Sequence, residues 1–317
     1  MTTASQTTAS STQTEQRFDD RVAIVTGAGN GLGRNHALQL AARGARVVVN
    51  DFGGGRDGAG ASTAAAQAVV DEIVAAGGQA IADGANVCDP DAVQAMAQRA
   101  LDTWGRIDIL INNAGILRDK SFAKMSADDF NAVVDVHLLG AANCARAVWP
   151  TMRAQEYGRI LMTSSTSGVF GNFGQANYGA AKTALIGLMN VLHLEGLRYG
   201  IKVNALLPTA ATRMTAELFD ADSLRALDPS FVTPAALFLV GEAAPSRTAL
   251  LAGAGTYARL AVVETEGVYL PPDQRTPEQI AAHFDEIASL DKILETPEGF
   301  AHVSRILTRA KQAEGRA

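Results

Sequence analysis

Cysteine is scarce in this sequence, which has only Cys88 and Cys144 among 317 residues. Two cysteines are too few for a disulfide framework, and their spacing matches no metal-binding motif. We therefore expect free thiols, which predicts a protein of the reducing cytoplasm without a metal site.

The chain also lacks a long apolar run, a dense basic stripe and a secretory leader. Glycine, proline or charged residues interrupt each apolar stretch before it reaches the length of a membrane span, which argues against an integral membrane protein. The net charge of −6 is spread over both signs, so nucleic acid is not an expected partner. Serine, threonine and glutamine dominate residues 1–17 and predict a disordered tail, and the C-terminus carries no peroxisomal Ser-Lys-Leu address.

What the sequence does contain is an alternation of short apolar runs with helical patterns. With 47% hydrophobic and 19% charged residues, the composition is that of a globular protein with a substantial core. Six strand-like runs alternate with helices and predict an α/β fold with a doubly wound parallel sheet, the Rossmann fold. These runs are 21–26, 46–50, 79–83, 107–111, 159–163 and 201–207.

The domain organisation follows from where this alternation ends. We assign 18–253 to a dinucleotide-binding and catalytic domain and 254–317 to a C-terminal extension. In the extension, 257–270 alternates like strands, whereas 276–289 and 297–312 have amphipathic helical patterns. The extension is a lid over the substrate, a dimer arm, both, or a packing appendage.

A glycine-rich turn follows the first predicted strand and precedes a helix. It contains Gly27, Asn30, Gly31, Leu32 and Gly33. Glycines allow a backbone to approach a pyrophosphate closely, and the N–H groups of a helix N-terminus point at such an anion. The turn therefore predicts a dinucleotide site, the alternative being a tight turn that only closes a βα unit.

Polar residues follow the second and third predicted strands. Asp51 ends the second strand, where a carboxylate accepts hydrogen bonds from both adenosine ribose hydroxyls and repels a 2′-phosphate. This favours NAD over NADP, unless Asp51 only begins the polar loop that follows. That glycine-rich loop, 52–62, is either a surface insertion or a flap near the adenosine. Asn86 and Val87 are expected near the adenine.

Tyr178 and Lys182 are the first candidates for catalysis. They lie four residues apart on a helix predicted at 176–199, one turn apart on the same face. A nearby ammonium lowers the pKa of a phenol toward the working range of an acid or base. Ser165, at the end of the fifth strand, is placed to hold a carbonyl or carbinol oxygen. The Tyr-x-x-x-Lys pattern alone is common on surface helices, so its interpretation depends on the nucleotide site.

His137 is a further candidate, on a long helix predicted at 127–152. A lone histidine on an apolar face is more often a hydrogen-bonded core residue than a catalyst, so both interpretations stay open.

The order of these motifs resembles the short-chain dehydrogenase/reductase family over residues 21 to about 252. The resemblance lies in TGAGNGLG at 26–33, NNAG at 112–115, Ser165 and the pair Tyr178 and Lys182. It implies that Tyr178 is the acid/base, Lys182 its activator and a ribose ligand, and Ser165 the binder of the substrate oxygen.

The same resemblance implies a set of NAD contacts. The glycine turn holds the diphosphate, Asp51 the adenosine ribose, and the NNAG loop the other ribose side, while Pro208 opens a segment, 209–215, that lies against the nicotinamide or diphosphate. The implied cofactor-binding residues are Gly27, Asn30, Gly31, Leu32, Gly33, Asp51, Asn86, Val87, Asn113, Ala114, Gly115, Tyr178, Lys182 and Pro208. Two positions depart from the family pattern, since His137 replaces the usual asparagine and Asn86 stands where aspartate is commoner.

A narrower likeness is to the (3R)-hydroxyacyl-CoA dehydrogenase unit of peroxisomal multifunctional β-oxidation enzymes, also known as a 17β-hydroxysteroid dehydrogenase, and to its single-domain actinobacterial relatives. It lies in VVVNDFGG, NNAGILRDKSFAKM, VVDVHLLGA, GNFGQANYGAAK and PTAATRMT. The likeness implies oxidation of the 3-hydroxyl of a fatty or sterol-bearing (3R)-hydroxyacyl-CoA by NAD.

Three alternatives to this activity remain. One is oxidation of a free 17β-hydroxysteroid, and a second is reduction of an acyl-carrier-protein ketone by NADPH, against which Asp51 argues. The third is a nucleotide-sensing protein without catalysis, which the presence of Ser165, Tyr178 and Lys182 disfavours. Family members commonly pair through the two long helices, which implies a homodimer or homotetramer.

Overall fold

The described part of the chain comprises residues 15–55, 57, 60, 62–211 and 220–315 of a computed structural model. Most of the tail predicted at 1–17 falls on residues 1–14, outside the described residues.

A mostly parallel β-sheet forms the centre of the fold, which confirms the predicted Rossmann-type α/β architecture. Within the described residues it has eight strands in the order β3-β2-β1-β4-β5-β6-β7-β8. They are β1 Val22–Thr26, β2 Arg46–Asn50, β3 Gln79–Asp83, β4 Ile109–Asn112, β5 Gly158–Thr163, β6 Ile201–Pro208, β7 Ala249–Gly253 and β8 Thr256–Leu260. Strands β1 to β7 pair in parallel. The strand order reverses between β1 and β4, which opens a crevice at the carboxyl ends of these two strands.

Continuous apolar runs form the central strands because helices cover both faces of the sheet. In β4, Ile109, Leu110 and Ile111 are each fully buried. Strands buried on both faces lose the apolar/polar alternation of half-exposed strands, which is why runs such as 46–50 and 107–111 are mostly apolar. All six are strands in the structure, with ends that differ from the predicted ones by up to two residues.

Helices follow the strands and carry local signals that fix their ends. The main-domain helices are α1 Gly31–Ala42, α2 Ala64–Ala75, α3 Pro90–Trp104, α4 Ala127–Val134, α5 Gly140–Gln155, α6 Thr166–Phe170, α7 Ala176–Gly196, α8 Ala221–Ala226 and α9 Thr233–Leu239. In α3, the Asp89 side chain accepts hydrogen bonds from the backbone N–H groups of Asp91 and Ala92, and Pro90 is the first residue. Gly105 ends this helix in the left-handed conformation, with φ of 75°.

The long helix predicted at 127–152 is interrupted. Between α4 and α5, the segment Asp135–Leu139 is a π-helical turn that carries His137. Such turns are rare and occur frequently at functional sites.

The chain divides into two compact units between Arg259 and Leu260, six residues beyond the predicted boundary. The second unit contains an antiparallel pair of short strands, β9 Glu264–Thr265 and β10 Ile293–Leu294. Its helices are α10 Pro277–Ala282, α11 Phe284–Ile287 and α12 Gly299–Ala313. Within this unit, Glu264 pairs with His302 at 2.7 Å. The role of the extension as lid or dimer arm stays a prediction.

Candidate active site

A cavity of about 650 Å³ lies at the carboxyl edge of the sheet. Its wall brings together every predicted cofactor and catalytic residue except Gly33. These residues are Gly27, Asn30, Gly31, Leu32, Asp51, Asn86, Val87, Asn113, Ala114, Gly115, His137, Ser165, Tyr178, Lys182 and Pro208. The parallel sheet explains this convergence, because the carboxyl ends of neighbouring strands meet at the same edge.

The glycine turn after β1 needs its glycines for two different reasons. Gly27 and Gly31 have φ of +62° and +54°, a conformation that favours glycine. A Cβ atom at Gly33 would lie 2.3 Å from the carbonyl oxygen of Gly27 and 2.5 Å from Nδ2 of Asn113. Gly33 therefore allows the helix to pack closely under the turn. The predicted diphosphate contact at Gly33 stays a prediction.

The Asp51 carboxylate is held by two backbone N–H groups. Gly29 donates to Oδ2 at 2.8 Å, and Gly53 donates to Oδ1 at 2.7 Å. A carboxylate oxygen has two lone pairs, so each oxygen keeps one to accept a hydrogen bond from a ribose hydroxyl. The structure thus presents a fixed acceptor pair at the cavity wall.

Asn113 connects the end of β4 to the turn after β1. Its Nδ2 donates to the carbonyl oxygens of Thr26 and Gly27, both at 3.0 Å. The backbone N–H groups of Asn113 and Ala114 donate to Thr26 Oγ1 at 3.0 and 3.1 Å. The side-chain N–H groups of Asn113 are therefore used to hold the loop in shape. Ala114 and Gly115, which follow it, also line the cavity.

Asn86 has a similar local role after β3. Its Oδ1 accepts a hydrogen bond from the backbone N–H of Cys88 at 3.0 Å. This turn exposes Asn86 and Val87 to the cavity, where we predicted an adenine contact.

Ser165, Tyr178 and Lys182 meet at the other end of the cavity. Ser165 follows β5 and caps α6 by accepting from the backbone N–H of Ser167 at 3.1 Å. The Ser165 hydroxyl and the Tyr178 phenol both line the cavity at this end. The Lys182 ammonium lies 5.5 Å from the centre of the Tyr178 ring and donates to the carbonyl oxygen of Thr163. The helical spacing thus places the amine beside the phenol, as the sequence indicated.

Burial dominates the protonation of this group. Burial raises the pKa of Tyr178, the Ser165 hydrogen bond lowers it, and the charge of Asp119 raises it. Burial also lowers the pKa of Lys182 to about 7. Burial is the largest influence on the pKa of the phenol, and the lowering of that pKa by Lys182 stays a prediction.

His137 is buried against Tyr178. Its ring meets the Tyr178 ring edge-on, with centroids 5.1 Å apart and planes at 88°. Nε2 lies 2.8 Å from the carbonyl oxygen of Ile116 and 3.1 Å from its backbone nitrogen. Burial holds the pKa of His137 well below its ordinary value, and the charge of Lys182 lowers it further. His137 is therefore neutral near pH 7.

Sequence reasoning missed much of the cavity wall, including a linked pair of polar residues. Gln175, just before α7, donates through Nε2 to Asp119 Oδ2 at 2.8 Å, and both residues line the cavity. Their connection spans 56 residues of sequence, so no local pattern signals it. The position of Asp119 shortly after the NNAG loop was the available hint.

Two loops at the cavity are described only in part, loop 52–62 and the segment 209–215. Phe52, Gly53 and Gly55 line the cavity, which agrees with the interpretation of loop 52–62 as a flap, whereas positions 56, 58, 59 and 61 lie outside the described residues. After β6, Pro208, Thr209 and Ala210 line the cavity, and residues 212–219 lie outside the described residues.

Two kinds of feature are absent from the described residues. No helix in that part of the chain has both the length and the apolar character needed to cross a membrane. Likewise, no three histidine, cysteine or acidic side chains come together there in a way suited to a metal ion.

Comparison with known proteins places this site in a family. The short chain dehydrogenase family model matches residues 21–223. A short-chain type dehydrogenase/reductase of Mycobacterium tuberculosis is 47% identical over 274 residues, which cover 86% of this chain and 95% of the relative. Peroxisomal multifunctional enzyme type 2 of Drosophila melanogaster is 48% identical over 269 residues, which cover 84% of this chain and 44% of the relative. The chain thus spans less than half the length of that enzyme.

Solved structures agree with these relationships. The full-length Drosophila enzyme superposes with a TM-score of 0.77 at 38% identity, covering 94% of this chain and 50% of the other. A 7α-hydroxysteroid dehydrogenase complexed with NADH and 7-oxo glycochenodeoxycholic acid superposes with a TM-score of 0.68 at 30% identity, covering 75% of this chain and 95% of the other. The family match extends over the glycine turn, Ser165, Tyr178 and Lys182, the residues that meet at one sheet edge. The chain therefore belongs to the short-chain dehydrogenase family.

Proposed function

We propose that the protein oxidises the 3-hydroxyl of a (3R)-hydroxyacyl-CoA to a ketone, with NAD as its cofactor. The observation that carries the proposal is that one cavity holds Asp51 and the glycine turn together with Ser165, Tyr178 and Lys182. Similarity to peroxisomal multifunctional enzyme type 2 over 84% of this chain supports an acyl-CoA substrate.

The residues present fit a dinucleotide. Gly27 and Gly31 would hold the diphosphate. A Cβ atom at Gly27 would lie 2.8 Å from Cα of Ala114, so the turn has no room for a side chain there. Asp51 would hold the adenosine ribose, and its negative charge disfavours the 2′-phosphate of NADP. When bound, NAD supplies the acceptor for the hydride that leaves C3 of the substrate.

Ser165, Tyr178 and Lys182 have separate roles in positioning the substrate and moving its proton. Ser165 and Tyr178 line the same end of the cavity, where a substrate oxygen placed between their hydroxyls would meet both. Tyr178, as phenolate, takes the proton of the substrate hydroxyl. Lys182 is held against Thr163, from where its charge favours the phenolate over the phenol. Fixed placement of these groups supplies much of the rate.

A free steroid is the second candidate substrate. The structural likeness to a 7α-hydroxysteroid dehydrogenase, with 75% of this chain covered, favours it. A sterol side-chain CoA thioester combines both chemistries and belongs to the primary proposal.

We also propose a homodimer or homotetramer that pairs through α5 and α7, located in the cytoplasm. On α7, Val191 and Leu194 are 53% and 40% exposed, which supports an apolar contact with a second copy. The cytoplasmic assignment rests on the two free cysteines, Cys88 and Cys144.

The test is an assay of NADH formation with the full chain. A long-chain (3R)-hydroxyacyl-CoA, a sterol-bearing hydroxyacyl-CoA and a free 17β-hydroxysteroid are compared, each with NAD and with NADP. We expect the thioesters with NAD to be oxidised fastest. Faster oxidation of the free steroid would overturn the proposal in favour of the second candidate.

A further inference from the structure

Asp119 lies in the cavity wall and has no assigned role in the proposed oxidation. Hydrogen bonds join the loop that carries it, after β4, to the start of α7. The backbone N–H of Lys120 donates to the carbonyl oxygen of Gly174 at 2.9 Å, and Gln175 Nε2 donates to Asp119 Oδ2 at 2.8 Å. The Asp119 carboxylate is therefore held in a fixed position against the first turn of α7.

This position is close to the phenol of Tyr178. Gln175 caps α7 and Tyr178 follows three residues later, so the two lie on one face of the helix. Both line the cavity together with Asp119. Burial has the largest effect on the pKa of Tyr178 and raises it, and the charge of Asp119 raises it further. Asp119 thus acts at the end of the cavity where the substrate hydroxyl would be held.

The cations on either side of Asp119 in the sequence are directed to another carboxylate. Lys120 Nζ lies 2.7 Å from Asp129 Oδ2, and Arg118 Nη1 lies 3.9 Å from Asp129 Oδ1. Within the described residues, the side-chain partner of Asp119 is the neutral amide of Gln175. The carboxylate of Asp119 therefore lines the cavity without an ion pair in that part of the chain.

We propose that the Asp119 carboxylate makes this cavity selective for substrates whose reacting end is uncharged, a thioester rather than a free 3-hydroxy acid. The proposal rests on the proposed function, because it concerns the substrate of that same site. A free 3-hydroxy acid carries its carboxylate two carbon atoms from the carbon that bears the hydroxyl, whereas a thioester is neutral at that place. Like charges repel more strongly where bound molecules exclude water, so the acid is bound more weakly than the thioester.

The Lys182 ammonium acts in the opposite sense. It lies 5.5 Å from the centre of the Tyr178 ring and attracts an anion to the same end of the cavity. Lys182 is unchanged in every variant described below, so a comparison among these variants isolates the charge of Asp119.

Binding measurements with two probes of matched shape test the proposal directly. Asp119→Asn removes the charge and keeps a side-chain oxygen that can accept from Gln175. The probes are (3R)-hydroxyoctanoate and its primary amide, each titrated against the complex of the full protein with NADH and followed by NADH fluorescence. We expect Asp119→Asn to bind the acid about tenfold more tightly than the parent protein does, as for removal of a like charge about 10 Å away near a protein surface, with binding of the amide changed less than about twofold.

Turnover provides a second measurement. The kcat/KM values for (3R)-hydroxyoctanoate and for its N-acetylcysteamine thioester, which lacks the phosphates of CoA, are compared with NAD as cofactor. We expect the preference for the thioester to fall about tenfold in Asp119→Asn and to persist in Asp119→Glu, which keeps the charge. Asp128→Asn is the matched control, because it removes the same charge from an exposed position on α4 and should leave the preference unchanged.

Equal affinity of Asp119→Asn and the parent protein for the acid would overturn the proposal. A similar change in affinity for the acid and the amide would also overturn it, since it would assign Asp119 a structural role. Asp119→Ser removes the same charge with a smaller side chain and gives the same comparison if Asp119→Asn folds poorly. If the parent protein oxidises no hydroxyacyl thioester, the proposed function fails, whereas the titrations of the NADH complex still decide the role of Asp119.

Discussion

The backbone N–H of Gly29 donates to Oδ2 of Asp51 at 2.8 Å, which joins the glycine turn to the end of β2. A Cβ atom at Gly29 would lie 2.7 Å from the same oxygen. The residue proposed to select the cofactor and the turn proposed to receive its diphosphate are therefore one hydrogen-bonded unit, and a change at either residue disturbs both.

The first prediction concerns cofactor choice. In Asp51→Asn the charge is lost with little change of shape, so a 2′-phosphate no longer meets a like charge. We expect the ratio of kcat/KM for NAD to that for NADP to fall at least about tenfold. Steady-state assays with both cofactors measure it, with Asp102→Asn, an exposed change on α3, as the control. An unchanged ratio would remove Asp51 from cofactor selection.

The second prediction concerns the acid/base. Tyr178→Phe keeps the ring that packs against His137 but removes the hydroxyl that exchanges the proton. We expect kcat to fall by about 10³-fold or more, with NADH binding, followed by fluorescence titration, nearly intact. Tyr199→Phe is the matched control, because that phenol only accepts a hydrogen bond from Arg153. Turnover retained in Tyr178→Phe would contradict the assignment.

The third prediction concerns packing beneath the turn. In Gly33→Ala the new methyl group would meet the Gly27 carbonyl oxygen at 2.3 Å, a backbone contact that cannot move freely. We expect a loss of about 2 kcal/mol or more in the free energy of unfolding and weaker NADH binding. Gly299→Ala, where a Cβ atom meets nothing within 4 Å, is expected to leave NADH binding unchanged. Equal NADH binding by the parent protein and Gly33→Ala would refute this role.

The fourth prediction concerns acid stability. Burial lowers the pKa of His36 from 6.5 to about 4 in the folded protein. Between these values the unfolded chain binds a proton at His36 that the native state does not bind. The contribution of His36 to the free energy of unfolding is therefore fully present above about pH 6.5 and is lost as the pH falls toward 4. The loss amounts to about 3 kcal/mol.

Denaturant unfolding across this pH range measures the effect. His36 Nδ1 lies 3.0 Å from Thr233 Oγ1. In His36→Gln, a neutral side chain can still reach Thr233, and we expect a shallower decline of the unfolding free energy than in the parent protein. The buried His137 titrates in both proteins, so the difference between the curves isolates His36. Parallel curves would show that His36 does not contribute to the loss of stability at low pH.

The fifth prediction concerns assembly. Ala180 lies exposed on α7, so Ala180→Arg places a charge in the proposed pairing surface. We expect light scattering after size exclusion to show a smaller assembly than for the parent protein. Ala95→Arg, an equally exposed change on α3, should leave the mass unchanged. An intact assembly in Ala180→Arg would move the interface elsewhere.

Sequence reasoning succeeded where one local pattern determines one element. The strand-like runs predicted at 46–50 and 79–83 coincide with β2 and β3. It missed β7, whose sequence ALLAG contains no β-branched residue, and the short helix α9. It also missed the π-helical turn around His137, because one widened turn leaves the apolar periodicity almost unchanged.

The sequence predicted which residues line the site more fully than it predicted the contacts among them. Spacing alone placed Tyr178 and Lys182 together, but it did not reveal that Lys182 donates to Thr163 or that burial sets the pKa of the phenol. The hydrogen bond between Asp119 and Gln175 was equally hidden, since it joins the loop after β4 to the start of α7. Such features arise from distant segments and have no local signature.

Gly115 packs directly against His137, so substitutions at these two positions depend on each other. A Cβ atom at Gly115 would lie 2.2 Å from Cε1 of the imidazole, so the ring occupies the volume that any larger residue at 115 would need. An evolving lineage can therefore enlarge position 115 only after position 137 has become smaller. A smaller residue at 137 removes this clash, so the side chains that position 115 accepts depend on the residue at 137.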